Sequence, residues 1–110
     1  MARFVKGDVV VVPFPFSDLS QTKRRPALVL AVLPGDDRIL CQITTRGVRD
    51  ADAIAVDAGD FRQGTLHQPS NIRPNRLFTA DQSMILRRVG ELKTEKLDEV
   101  IKQVIVIFTR

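Results

Sequence analysis

Residues 25–45 read RPALVLAVLPGDDRILCQITT, and this stretch decides the fold. The segments 26–33 and 38–45 are short apolar runs, and Pro34-Gly35-Asp36-Asp37 between them carries the residue types of a turn. The pattern predicts a β-hairpin. Its open end would bring Arg25 and the pair Thr44-Thr45 to one rim of a sheet. Arg25 directly precedes Pro26, so its backbone is biased toward extended geometry at the entry of the first of these strands.

Working outward, Val9 to Val12 is a β-branched run between Gly7 and Pro13, too short for a helix and apt for a buried strand. Pro13 and Pro15 are expected to end regular pairing or to leave it at a sheet edge. Residues 17–24 are polar and read as a loop, whereas 53–56, 70–73 and 83–87 read as further short strands. The period then changes. Leu97, Val100, Ile101, Val104, Ile105 and Phe108 recur at spacings of three and four, which predicts an amphipathic helix with Thr94 as its cap. Short strands followed by one terminal helix predict a mostly β fold. A small barrel of the SH3 kind is the natural form, because closure removes exposed strand edges. A chain of 110 residues suits one domain, and no repeat or linker divides it.

No apolar run approaches the roughly 20 residues that span a bilayer. The opening residues hold no apolar stretch of signal-peptide length, so a soluble cytoplasmic domain is expected. Cys41 is the single cysteine, which excludes an internal disulfide, and its neighbours Leu40 and Ile43 make it a small buried residue.

The formal net charge is +4, and 12 of the 17 basic residues are arginine. A planar guanidinium grips phosphate through two parallel hydrogen bonds, which an ammonium cannot do. Basic residues group at Lys23-Arg24-Arg25, Arg46 and Arg49, Arg73 and Arg76, and Arg87-Arg88, while Asp50, Asp52, Asp57 and Asp60 form an acidic stretch elsewhere. This distribution favours a polyanionic partner.

One histidine, His67, and one cysteine are too few for a zinc site of three or four such ligands. Nothing around His67 supports a nucleophilic triad, and it reads as an ordinary loop residue. No phosphate-binding glycine loop, HExxH or GxSxG pattern occurs. The remaining palette of Arg, Lys, Ser and Thr suits RNA cleavage, because RNA carries its own nucleophile. The enzyme need only align the 2′-OH, stabilise the phosphorane and help the 5′-oxygen leave, without a metal or cofactor.

At these residues the chain resembles the MazF/PemK toxin family. The resemblance rests on Gly7-Asp8 before an apolar strand, Arg25-Pro26-Ala27 before LVL, and Ile43-Thr44-Thr45 closing the next strand. PFPFSDLSQTKRRPAL and IRPNRLFTADQSMI look like the PemK-like branch, and the similarity runs from Lys6 to the final helix. It implies an SH3-like barrel of the MazF/CcdB type, a homodimer, and cleavage of single-stranded RNA to 2′,3′-cyclic phosphate and 5′-hydroxyl ends. It also implies a cognate antitoxin whose acidic, MazE-like tail occupies the RNA groove. By the same resemblance Arg25 is the catalytic arginine and Thr44 the catalytic threonine. Ser20, Gln21, Lys23 and Arg24 would line the RNA path, and Thr45 and Arg46 would continue it.

The chain departs from the family at one place. Where many relatives carry an acid followed by glutamine it reads Ser70-Asn71-Ile72, so water, Asp18 or no base at all stay open for the 2′-OH proton. Asp81-Gln82 matches the dipeptide but sits later. With tyrosine and tryptophan absent, base stacking would fall to arginine planes or to Phe14 and Phe16, for which core burial is the alternative. Two other functions remain open at this point: a CcdB-like toxin that binds DNA gyrase without cleaving, disfavoured by the missing tryptophan, and a degenerate RNA-binding barrel.

Overall fold

The computed structural model describes residues 3–15, 22–47 and 49–110. Among the described residues seven strands, β1 (Asp8–Pro15), β2 (Thr22–Val32), β3 (Asp37–Thr45), β4 (Ile54–Val56), β5 (Phe61–Gly64), β6 (Ser70–Asp81) and β7 (Arg87–Leu92), precede one helix, α1 (Thr94–Thr109). They form a single antiparallel sheet in the order β4-β6-β3-β2-β1-β7-β5.

The predicted hairpin is the centre of this sheet, as β2 paired with β3. Period-two alternation explains why its strands are apolar throughout: successive residues serve opposite faces, and both faces are covered. Val9, Leu28, Leu30, Cys41 and Ile43 enter one core, while Val10, Ala27, Val29 and Leu40 enter another. The first core also takes Ile54 and Val56 from one edge strand and Phe61 from the other. Both ends of the sheet therefore meet around one set of side chains, which requires a strongly curled, barrel-like sheet.

Of the two expectations for Pro13 and Pro15, an end to pairing or a place at a sheet edge, the second holds, and the prolines do not end β1. The strand runs on against β2, with Pro13 facing Arg24 and Pro15 facing Thr22. Strand β7 accompanies β1 only as far as Val11, so both prolines lie where β1 has a neighbour on one side, and there a missing N–H is tolerated. The expected strand over 83–87 is instead a 3₁₀ turn, Gln82–Met84, leading into β7. Helix α1 starts at Thr94 rather than being capped by it; Thr94 Oγ1 accepts a hydrogen bond from Arg62 at 2.8 Å. Its apolar stripe divides. Val100 is buried with Leu97, Ile101 and Val104 packed beside it, whereas Ile105 and Phe108 are exposed.

Strand β5 carries no apolar alternation and was not foreseen. It exists because Gly64 and Gly90 let β5 lie close to β7. Gly64 has φ +65, and a Cβ on Gly90 would stand 2.7 Å from the Phe61 ring and 2.8 Å from the Gln63 carbonyl. Gly90→Ala is accordingly expected to cost about 1–3 kcal/mol by overpacking, read as a lower midpoint in urea unfolding. An unchanged midpoint would show that β5 yields without penalty.

Candidate nucleic-acid interface

Strands β2 and β3 pair, with one register shift between Val29 and Ala31, as far as Ala27 and Gln42. The next residue of β2 is Pro26, which has no N–H to give to the ladder. Past it the two strands part: β2 continues against β1, with Arg25 facing Val12, and β3 continues against β6, with Thr44 facing Asn71. Arg25 and Thr44, in register across the interrupted ladder, stand on the two sides of this parting. A cleft of about 290 Å³ opens there, and both residues line it.

Arg24, Thr45 and Ser70 extend the lining, with Pro26, Ile43, Val11 and Val89 as its apolar wall. The far side comes from Thr65, Leu66, His67 and Gln68, which connect β5 to β6, and from Arg87 on β7. Among the described residues, three that bear guanidinium groups and no carboxylate line the cleft, so these residues present positive charge and hydroxyl donors to whatever enters. Apolar walls with a few convergent polar groups are the usual composition of a ligand site.

Four sequence candidates, Arg24, Arg25, Thr44 and Thr45, thus meet in one cleft. Lys23 and Arg46 are exposed and stand outside the lining. Ser20, Gln21, Phe16 and Asp18 fall outside the described residues. Phe14 packs edge-on against Phe78, with ring centroids 5.0 Å apart, beside the second core. His67 is an exposed loop residue, as expected, yet it lines the cleft; nothing in its local sequence pointed there because β5 was not recognised.

Arg73 was legible only as one of a basic pair. Its Nη1 donates to Thr44 Oγ1 at 3.3 Å, and its Nε pairs with Asp50 Oδ2 at 2.5 Å. Both charged side chains of this pair are more than nine-tenths buried. Asp50 Oδ1 further accepts from the Asp52 N–H at 2.9 Å and from Asn75 Nδ2 at 3.1 Å. Burial alone would push the Asp50 carboxyl up. The hydrogen bonds from Arg73, the Asp52 amide and Asn75, with the Arg73 charge, outweigh it and hold the carboxyl below its usual range. The acids of 50–60 are therefore not segregated from the basic groups, as the sequence suggested. Asp50 neutralises Arg73, and Asp52 pairs with Arg110 through hydrogen bonds of 3.0 and 3.1 Å.

Two other groups with chemical potential are structural. Cys41 is fully buried, which pushes its thiol up to about 12 against a smaller lowering by a hydrogen bond at the Leu28 backbone. Gln82 binds the buried Arg38 through its carbonyl oxygen and Asp36 through its amide, while Asp81 caps the 3₁₀ turn at the Ser83 N–H. The Asp81-Gln82 dipeptide holds β3 to β6 and lies outside the cleft lining.

The fold matches known structures along its whole length. MazF from Deinococcus radiodurans superposes with a TM-score of 0.78 at 19% identity, covering 100% of both chains. Toxin MazF-mt6 from Mycobacterium tuberculosis gives 0.71 at 21% identity, covering 92% of this chain and 95% of that one. An endoribonuclease in complex with its cognate antitoxin, from a mycobacterial species, gives 0.73 at 13% identity over 98% of this chain and 95% of that one. No curated protein matches the chain by sequence. The family model of the PemK-like, MazF-like toxins of type II toxin–antitoxin systems matches residues 5–108. Nearly the whole chain falls within that match and the sheet is of the MazF type, and so the chain belongs to the PemK-like, MazF-like toxin family.

Proposed function

We propose that this toxin is a sequence-selective endoribonuclease that cleaves single-stranded RNA without a metal, leaving 2′,3′-cyclic phosphate and 5′-hydroxyl ends. The observation that carries the reading is the meeting of Arg25 and Thr44 in the basic cleft where β2 and β3 part. A scissile phosphate held there has the Arg25 guanidinium to stabilise the charge that builds up on the phosphorane and to pass a proton to the departing 5′-oxygen. The Thr44 hydroxyl donates to a phosphate oxygen and so orients the neighbouring 2′-OH for in-line attack. Arg24 and Thr45 extend the contact along the backbone, with the exposed Lys23 and Arg46 flanking the path; a role for Ser20 and Gln21 in RNA binding rests on the family resemblance alone. The same positive cleft suits the acidic tail of a cognate antitoxin, which would inhibit by occupying it; the mycobacterial neighbour forms a complex with its own antitoxin. The working form in this reading is a cytoplasmic homodimer.

The test is incubation of the purified protein with mixed-sequence single-stranded RNA in EDTA, followed by end analysis. Cleavage at a short recurrent motif with cyclic-phosphate ends is expected. Intact RNA, with the protein folded, or 5′-phosphate products would overturn the proposal.

A further inference from the structure

Beyond the two residues of the cleft, Asp50 occupies a position that the reaction as described leaves unused. It does not line the cleft, yet it is tied to Thr44 through one side chain. We infer that Asp50, acting through Arg73, is a positioning residue that sets the Thr44 hydroxyl as a hydrogen-bond donor toward the RNA phosphate. This inference rests on the ribonuclease reading and deepens it.

The argument is one of donor and acceptor counting. A guanidinium has only donors, and a threonine hydroxyl has one donor hydrogen and two acceptor lone pairs. Because Arg73 Nη1 points at Thr44 Oγ1, that oxygen accepts there and its own hydrogen must point elsewhere. The cleft is the side on which Thr44 is accessible. Left alone, the hydroxyl would rotate among several partners; fixed by Arg73, it is ready for a phosphate oxygen, which only accepts.

Arg73 can hold this position only if its own charge is answered. Asp50 does so from the opposite edge of the guanidinium, through Nε, and is itself held by Asn75 and the Asp52 amide. The segment that carries it is tied down a second time, since Asp52 receives hydrogen bonds from Gln103 and Arg110 of the helical end. Neutralised by Asp50, Arg73 organises the hydroxyl rather than competing with Arg25 for the phosphate.

A double-mutant cycle on cleavage rate separates this role from a structural one. Thr44→Val should lower kcat/KM about tenfold, the loss of one hydrogen bond to a charged group. Asp50→Asn should lower it by a similar factor when Thr44 is present and by almost nothing in the Thr44→Val background. Should Asp50→Asn fail to fold, the double variant Asp50→Asn/Arg73→Met removes both buried charges together and serves in its place. Equal losses in both backgrounds, or a double variant as active as the unaltered protein, would overturn the inference while leaving the ribonuclease reading intact. Absence of cleavage by the unaltered protein would instead remove that reading, and this inference with it.

Discussion

Replacing Arg25 with alanine is expected to lower the single-turnover rate of RNA cleavage by at least ~100-fold, the loss seen when one preorganised charge-stabilising group is removed. That factor corresponds to about 2.7 kcal/mol of transition-state stabilisation. The size of the effect follows from where the residue stands. Pro26 halts the β2–β3 ladder, the strands part, and Arg25 lines the opening together with Thr44. In the proposed reaction a guanidinium there meets the equatorial oxygens of the phosphorane when their charge is greatest. Arg25→Lys should recover part of the rate, because a point charge remains but the planar fork is lost. The fold should be unaffected, since Arg25 is only half-buried and the cores lie elsewhere. An Arg25→Ala protein that cleaves at near-normal rate would mean that another arginine of the cleft, Arg24 or Arg87, carries the charge.

The second large effect is on stability. Arg73→Met alone strands the Asp50 carboxylate in a site where its side chain is 7% exposed, and breaking a buried pair in this way costs about 3–5 kcal/mol. Urea unfolding should show the loss as a lowered midpoint at unchanged slope. Removing both charges together should restore much of it, because no uncompensated ion then remains. A small loss for the single variant would mean that water reaches the pair. The same pair dictates a pH dependence. The Asp50 carboxyl is held below its usual range in the folded protein, so its contribution is present in full above about pH 4, the ordinary carboxylate value. That contribution is lost as the pH falls through the lower, folded-state value, because the unfolded chain takes up the proton first. Stability should therefore drop on acidification below about pH 4, and an Asp50→Asn/Arg73→Met variant should show less of that drop.

The central hairpin, the β-branched first strand and the terminal helix were all legible, because each is a local pattern. Alternation, turn chemistry and the three-and-four spacing act over a few residues and survive folding unchanged. The errors have a common source as well. The cap on Thr94 and the strand over 83–87 were local readings at places where a tertiary partner decided the outcome: Arg62 for Thr94, and Arg38 and Asp36, which hold Gln82, for the turn that replaces the strand; at Pro13 the short reach of β7 chose between the two alternatives. Strand β5 left no signal because two glycines and a neighbouring strand, rather than its own side chains, make it a strand.

Of the residues that line the cleft, Arg25 and Thr44 had been singled out by their motifs, and Arg24 and Thr45 as part of the RNA path that the resemblance implies. Lys23 and Arg46 were chosen on the same ground, but stand outside the cleft lining. Arg73, His67 and Arg87 were not found as members of the site, since nothing in their flanking sequence refers to residues twenty or more positions away.

By itself the amino-acid sequence determined that this chain would be a mostly β domain with one closing helix, and it named the arginine and threonine at the open end of the central hairpin. Only the tertiary structure decided that the sheet curls until its two edge strands share one core, that a cleft opens where Pro26 interrupts the ladder, and that Asp50 answers Arg73 behind Thr44. The division has a physical reason. Backbone periodicity is written in neighbouring residues, whereas pairing of buried charges and closure of a sheet depend on groups that only long-range packing brings within hydrogen-bonding distance.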